Sequence, residues 1–223
     1  MSLMIYGVVG ADGTAVVGTG IAGHPLRGIK DGRLMAIATD LDGPGPDPDA
    51  ATIDFYERTI QALMDVRAIL PTPFGRVLED DDAVRAMLRR RRRDLLARLD
   101  RVHGAVELDL RARWLDASHA AGDPRSESDV SYLRDRLEMR QSARRVASAL
   151  DPLTALARSS RRTLAPHPDL PVLDAYLVDR GRVGEFVAMV EELVARLDGV
   201  ELVCTGPCPP YSFAEGGVIR STP

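Results

Sequence analysis

The chain has 223 residues, 45% of them hydrophobic and 28% charged, with a formal net charge of −4 at pH 7. That size suits one or two domains with cores of their own, and the mildly acidic balance, shared by both halves, gives no long-range pull on nucleic acid. No apolar run approaches the ~20 residues of a membrane span, and the opening MSLMIYGVVG has neither a basic n-region nor a small-residue cleavage site, so no signal peptide is expected.

Residues 3–9 are apolar and partly β-branched and predict a strand. In IKDGRL the pair Asp31-Gly32 falls between two strands, and an Asp-Gly pair suits a type I′ hairpin. The return strand, 34–39, is apolar on both faces and is expected in the middle of a sheet. DGPGPDPD, 42–49, is a loop by its proline and glycine content. A helix is predicted from about Thr52, with Ile53, Tyr56, Ile60, Leu63 and Met64 on one face. Pro71 and Pro73 interrupt ILPTPFG. One long helix is then expected from Asp80 to His103, with acids at its N-terminus and Gly104 as its stop.

From 105 a second unit begins. AVELDLRARW alternates strictly, with Val106, Leu108, Leu110, Ala112 and Trp114 on one face and Glu107, Asp109, Arg111 and Arg113 on a wet one. DASHAAGDPRSES is a loop. A helix from about Ser128 carries Tyr132, Met139, Ala143, Val146 and Leu150 down one stripe, and Asp151-Pro152 restarts a second helical segment. A strand (172–178), a helix (183–197) and a strand (200–204) complete the unit. The expected fold is α+β in two domains: 1–104, with a hairpin and a long Arg-rich helix, and 105–223, a modified ferredoxin-like β-α-β-α-β unit with a Pro-rich tail.

The run Arg89–Arg93 is the loudest local signal. On a helical wheel of about 100° per residue, Arg89, Arg90 and Arg93 lie opposite the stripe of Val84, Leu88, Leu95, Leu99 and Val102. Arg91 falls inside that stripe, an anomaly that demands a carboxylate partner or an interface, because an unpaired buried charge is too costly. Only Lys30 of the 29 basic residues is lysine, so arginine reflects coding bias more than nucleic-acid binding. The glycines of GVVGADG and GTGIAG fit no phosphate-loop pattern. His24, His103, His119 and His167 are scattered, and no nucleophile sits in an elbow or triad context. Cys204 and Cys208, in CTGPCPPYSF, lack the further ligands of a zinc site and the spacing of a redox dithiol. No catalytic residue, cofactor or metal site is expected.

GPCPPYSF, 206–213, resembles the terminal signature of the gas vesicle proteins GvpF and GvpL. LPTPFGRVLED, followed by an Arg-rich helix and GAVELDLRARW, resembles the family's other hallmark block, and MIYGVV and LDAYLVDRGRVGEFVAMVEEL also fit. The resemblance runs in order over nearly the whole chain. It departs at Cys208, where the family commonly has tryptophan.

The resemblance implies two α+β domains, no enzyme activity and no cofactor. It also implies a cytoplasmic accessory protein of gas vesicle assembly, associated with the vesicle and binding its small hydrophobic shell protein and other accessory proteins. No small-molecule substrate is expected. Residues of the family motifs that would contact a partner are Pro71, Phe74, Gly75, Arg91, Gly206, Pro207, Pro209, Pro210, Tyr211 and Phe213. Two readings of PPYSF stand: a stiff segment presenting Tyr211 and Phe213 to a partner, or a lid over the core of the C-terminal sheet. The competing function is a small-ligand-binding or regulatory module, since ferredoxin-like domains host sensing in unrelated proteins; an enzyme would need a polar cleft.

Overall fold

The computed structural model describes residues 2–12, 15–43, 45–115, 129–167 and 169–214, with the backbone alone for 129–136 and 165–167. His119 and the loop 116–128 lie outside the described residues, as do the side chains of Tyr132 and His167. The chain divides into two compact units: one holds the residues up to Gly104 and takes the chain up again at Pro209, and the other holds Ala105–Cys208.

In the first unit, β1 (Ser2–Gly10), β2 (Arg27–Asp31), β3 (Leu34–Leu41) and β4 (Ile69–Pro71) form an antiparallel sheet in the order β2-β3-β1-β4. The two-residue β5 (Val77–Leu78) adds to β1. β3 is interior, as its doubly apolar sequence requires, and Leu34 through Ala38 are buried. The hairpin turn sits one residue later than the sequence suggests: Asp31 pairs with Leu34, leaving Gly32-Arg33 as the loop. Gly32 has φ +60 and Arg33 is not left-handed. Left-handed φ at the first loop residue alone fits type II′ rather than I′.

Helix α1 (Ala50–Val66) starts two residues before Thr52, because the Asp49 side chain accepts a hydrogen bond from the Thr52 amide at 2.7 Å and caps the helix there. Its buried residues are Tyr56, Ile60, Leu63 and Met64. The single long helix expected at 80–103 is two, α2 (Asp81–Arg90) and α3 (Arg92–Val102), broken at Arg91, whose φ and ψ are −106 and 11. The break removes the anomaly that the wheel exposed. A straight helix would drive Arg91 into the stripe of Val84, Leu88, Leu95 and Leu99; the kink keeps those four buried and leaves Arg91 half-exposed, paired with Asp94 at 3.2 Å.

In the second unit, β6 (Ala105–Trp114), β7 (Ala157–His167), β8 (Leu170–Asp179) and β9 (Val200–Cys208) make an antiparallel sheet in the order β7-β8-β6-β9. Helices α4 (Asp129–Ala149) and α5 (Val183–Val194) pack with it around a core that includes Leu108, Leu110, Val146, Leu150, Tyr176, Phe186 and Val190. The unit is therefore β-α-β-β-α-β, one strand more than the sequence reading. The missed strand is β7, ARSSRRTLAPH, which among the described strands pairs only with β8. Asp151-Pro152 opens no second long helix, only a 3-10 segment, Asp151–Leu156, that leads into it. The face of β6 read as wet is wet only toward its end: Arg111 and Arg113 are exposed, but Glu107 is buried.

Candidate functional site

Within the first unit, parts of the two hallmark blocks, 70–80 and 209–213, far apart in sequence, both reach α1. Tyr56 is fully buried, and a buried phenol must find acceptors. Its hydroxyl lies 3.0 Å from the Ile5 carbonyl, 2.8 Å from the Thr72 carbonyl and 3.1 Å from Thr72 Oγ1. Its ring stacks on Tyr6 at 4.9 Å and receives Phe74 edge-on at 5.3 Å. The Tyr6 hydroxyl accepts from the Ile21 amide at 2.8 Å. Burial raises the pKa of both tyrosines, so they stay neutral.

The next residue, Glu57, takes the tail. Pro209 and Pro210 are buried, and the chain then makes one helical turn, α6 (Tyr211–Ala214), packed against β4 and α3. Tyr211 donates to Glu57 Oε2 at 2.9 Å, and Arg98 Nη1 donates to the Ala214 carbonyl at 3.3 Å. Phe213 is only 2% exposed. Burial raises the Glu57 pKa, and the Tyr211 hydrogen bond works against that rise. The segment does close a core, but that of the first unit; the expectation of a lid over the C-terminal sheet is corrected. The reason is the short reach of a one-turn helix fixed at both ends, by Glu57 and by Arg98.

Of the other motif residues, Pro71 is buried in β4 opposite Gly7, and Gly75 is an exposed turn residue with φ +79. Gly206 and Pro207 are exposed within β9, where the register against β6 shifts between Glu107 and Asp109. Gly206 has φ +123, and a Cβ there would stand 2.7 Å from the Glu107 carbonyl oxygen, so no larger residue fits. Arg91 stands apart from this cluster, at the helix break. Sequence reasoning placed Tyr56 in the helix core but missed Glu57 as the tail's partner. The available signal was the tail's lone phenol, which needs an acceptor once half-buried.

An ion-pair network ties α2 and α3 to the hairpin. Arg27 binds Asp40 through two nitrogens, at 3.1 and 3.0 Å, and Asp81 at 2.8 Å. Asp31 is met by Arg92 and, at 3.7 Å, by Arg89. Part of the arginine run is thus structural. In the second unit, Arg162 binds the 1% exposed Asp174, to which Tyr176 also donates at 2.6 Å. Cys204 and Cys208 form no disulfide, and the Cys208 thiol donates to the Glu107 carbonyl at 3.3 Å. Burial and the charge of Asp109 raise the Cys204 pKa, the opposite of what a reactive thiolate requires. Among the described residues no group of three or more His, Cys, Asp or Glu could hold a metal ion, and no helix is long and apolar enough to cross a membrane.

In fold the chain is a mixed helix-and-sheet protein of the kind seen in two crystal structures. That of gas vesicle protein GvpF from Anabaena sp. PCC7120 superposes with a TM-score of 0.81, covering 97% of this chain and 99% of the other at 14% identity. GvpF from Microcystis aeruginosa gives 0.78, covering 96% and 99% at 17% identity. The family described as gas vesicle synthesis protein GvpL/GvpF matches residues 2–215. Gas vesicle protein L of Streptomyces sp. (strain CB03234) is 30% identical over 87% of this chain and 85% of its own. Gas vesicle protein F2 of Halobacterium salinarum is 25% identical over 96% and 92%. The chain belongs to the GvpL/GvpF family.

Proposed function

We propose that this protein is a non-catalytic accessory factor of gas vesicle assembly that binds the hydrophobic shell protein, and other vesicle proteins, in the cytoplasm. The observation that carries the reading is the family match over residues 2–215. A subunit with an exposed apolar surface must be held apart from its copies before it joins a wall, and an apolar surface rimmed by charge can do that. The two compact units are proposed as separately folding domains, the second ferredoxin-like; its strand order β7-β8-β6-β9 supports this. Of the motif residues, Phe74, Gly75, Arg91, Gly206, Pro207 and Tyr211 keep exposed surface with which to reach a partner, while Pro71, Pro209, Pro210 and Phe213 are buried. The test is co-expression of this tagged chain with a shell protein. Retention of the shell protein on the affinity resin is the expected result; its absence would sink the reading.

A further inference from the structure

The break between α2 and α3 gathers what a straight helix would scatter. At about 100° per residue, five successive arginines of one helix point in all directions. With the backbone turned at Arg91, Arg89 through Arg93 and Asp94 together wall one open pocket of about 420 Å³. Its walls can be reached from solvent: the side chains of Arg89, Arg92 and Arg91 are 59%, 47% and 39% exposed, and Arg90 and Arg93 are exposed too.

The charge around this pocket is not balanced within the fold. Asp31 serves both Arg89 and Arg92, and Asp94 is shared between Arg91 and Arg98, which binds it at 2.6 Å. Arg90 and Arg93 have no ion-pair partner among the described residues. Like charges three and four residues apart on a helix repel. Arg92 and Arg93 also stand in the first turn of α3, the end where the helix dipole disfavours cations. Coding bias accounts for the abundance of arginine in the chain, but not for its convergence on one kink.

We infer that the pocket at the α2–α3 break docks an acidic polypeptide segment of a partner, whose carboxylates pair with Arg90 and Arg93. A nucleic-acid strand fits less well. It asks for a continuous basic track with aromatic platforms for its bases, whereas residues 75–103 contain no Phe, Tyr or Trp, and Asp81, Asp82, Asp94 and Asp100 interrupt the track. A lone phosphate offers one anionic centre, and the two unmet cations are separate groups on an open wall; a segment with several carboxylates answers both. The inference rests on the assembly reading only for which protein carries the segment, not for the segment's chemistry.

The chemistry is tested with a fluorescein-labelled peptide of Ala and Glu, titrated by anisotropy beside its Gln-for-Glu analogue. At low salt the wild-type chain should bind the Glu peptide about tenfold more tightly than the analogue. Raising the salt from about 0.01 to about 1 M, which shortens the screening length from about 30 to about 3 Å, should erase that preference. Arg90→Gln/Arg93→Gln should lose most of it with the melting temperature unmoved, since neither side chain is spent on an ion pair. Arg140→Gln/Arg144→Gln, which removes the same charge from exposed positions on α4, should keep it. No preference in the wild type, a preference that survives Arg90→Gln/Arg93→Gln, or one that falls equally in the α4 variant would each overturn the inference. So would tighter binding of tripolyphosphate, or of a single-stranded oligonucleotide of equal charge, than of the Glu peptide. A wild-type chain that binds the peptide but retains no co-expressed shell protein keeps the pocket and removes the assembly reading. Shell protein retained without any preference for the Glu peptide keeps that reading and removes the pocket.

Discussion

Truncating Phe213 to alanine tests whether the C-terminal segment is part of the first unit's core. The ring is 2% exposed, in a turn of helix packed on β4 and α3. Removing a buried phenylalanine ring costs about 3–5 kcal/mol, the transferred area plus the cavity left behind. A unit of about a hundred residues loses roughly 4–5 °C of melting temperature per kcal/mol. The transition of that unit should therefore fall by roughly 12–25 °C. Tyr211→Phe is the internal control. It deletes one hydrogen bond, 2.9 Å, to the Glu57 carboxylate, and at a half-exposed site that is worth about 1 kcal/mol, a few degrees. Differential scanning calorimetry reads both, with circular dichroism confirming that the helical content of the variants is kept below the transition. If Phe213→Ala melts within a few degrees of the parent, the segment does not close the core, and its role as a free partner contact returns.

Other perturbations reach other parts of the molecule. Asp174 is buried against Arg162 and Tyr176, so Arg162→Met strands a carboxylate and should lose about 3–5 kcal/mol, while the double variant Arg162→Met/Asp174→Leu should recover most of it; urea titration measures the difference. Burial raises the Asp109 pKa above its unfolded value. Its unfavourable contribution is absent below the unfolded pKa of about 3.9 and grows as pH rises to the folded value, so Asp109→Asn should stabilise the protein at pH 7 and leave it unchanged in acid. Asp81 has the opposite sign: the hydrogen bond from Arg27 lowers its pKa, its stabilisation is present above the unfolded pKa, and acidification through the folded value removes it. Melting temperature against pH, for wild type and Asp81→Asn, should converge at low pH. Gly206→Ala forces a side chain onto the Glu107 carbonyl in a left-handed backbone and should cost at least about 1–3 kcal/mol, read by the same melts.

The elements that could be read from the sequence are those whose own residues decide them. β3 is apolar on both faces and is interior; β6 alternates and puts Leu108 and Leu110 in the core; α1 and α5 show one buried stripe each. What could not be read depends on partners elsewhere in the chain. β7 looks polar because its stabilisation comes across the sheet: Arg162 stands opposite Asp174 in the register, and Arg158 pairs with Asp179. No periodicity within ARSSRRTLAPH announces that. The kink at Arg91 is an intermediate case. The wheel flagged the one residue where a straight helix fails, although the same wheel could not say that the backbone, rather than a buried carboxylate, resolves the conflict.

The same distinction separates what makes the chain recognisable from what it would use on a partner. Within the first unit, Phe74 meets Tyr56 edge-on and Tyr211 donates to Glu57, while Pro71, Pro209, Pro210 and Phe213 are buried. A motif with that geometry reports how the unit closes: two distant segments must fit α1 at once, and few residue types satisfy a stacked phenol, an edge-on ring and a carboxylate together. Residues whose energies are already balanced within the fold have little left to give a partner. On that ground, substitutions at the buried Pro71, Pro209, Pro210 and Phe213 should register as stability.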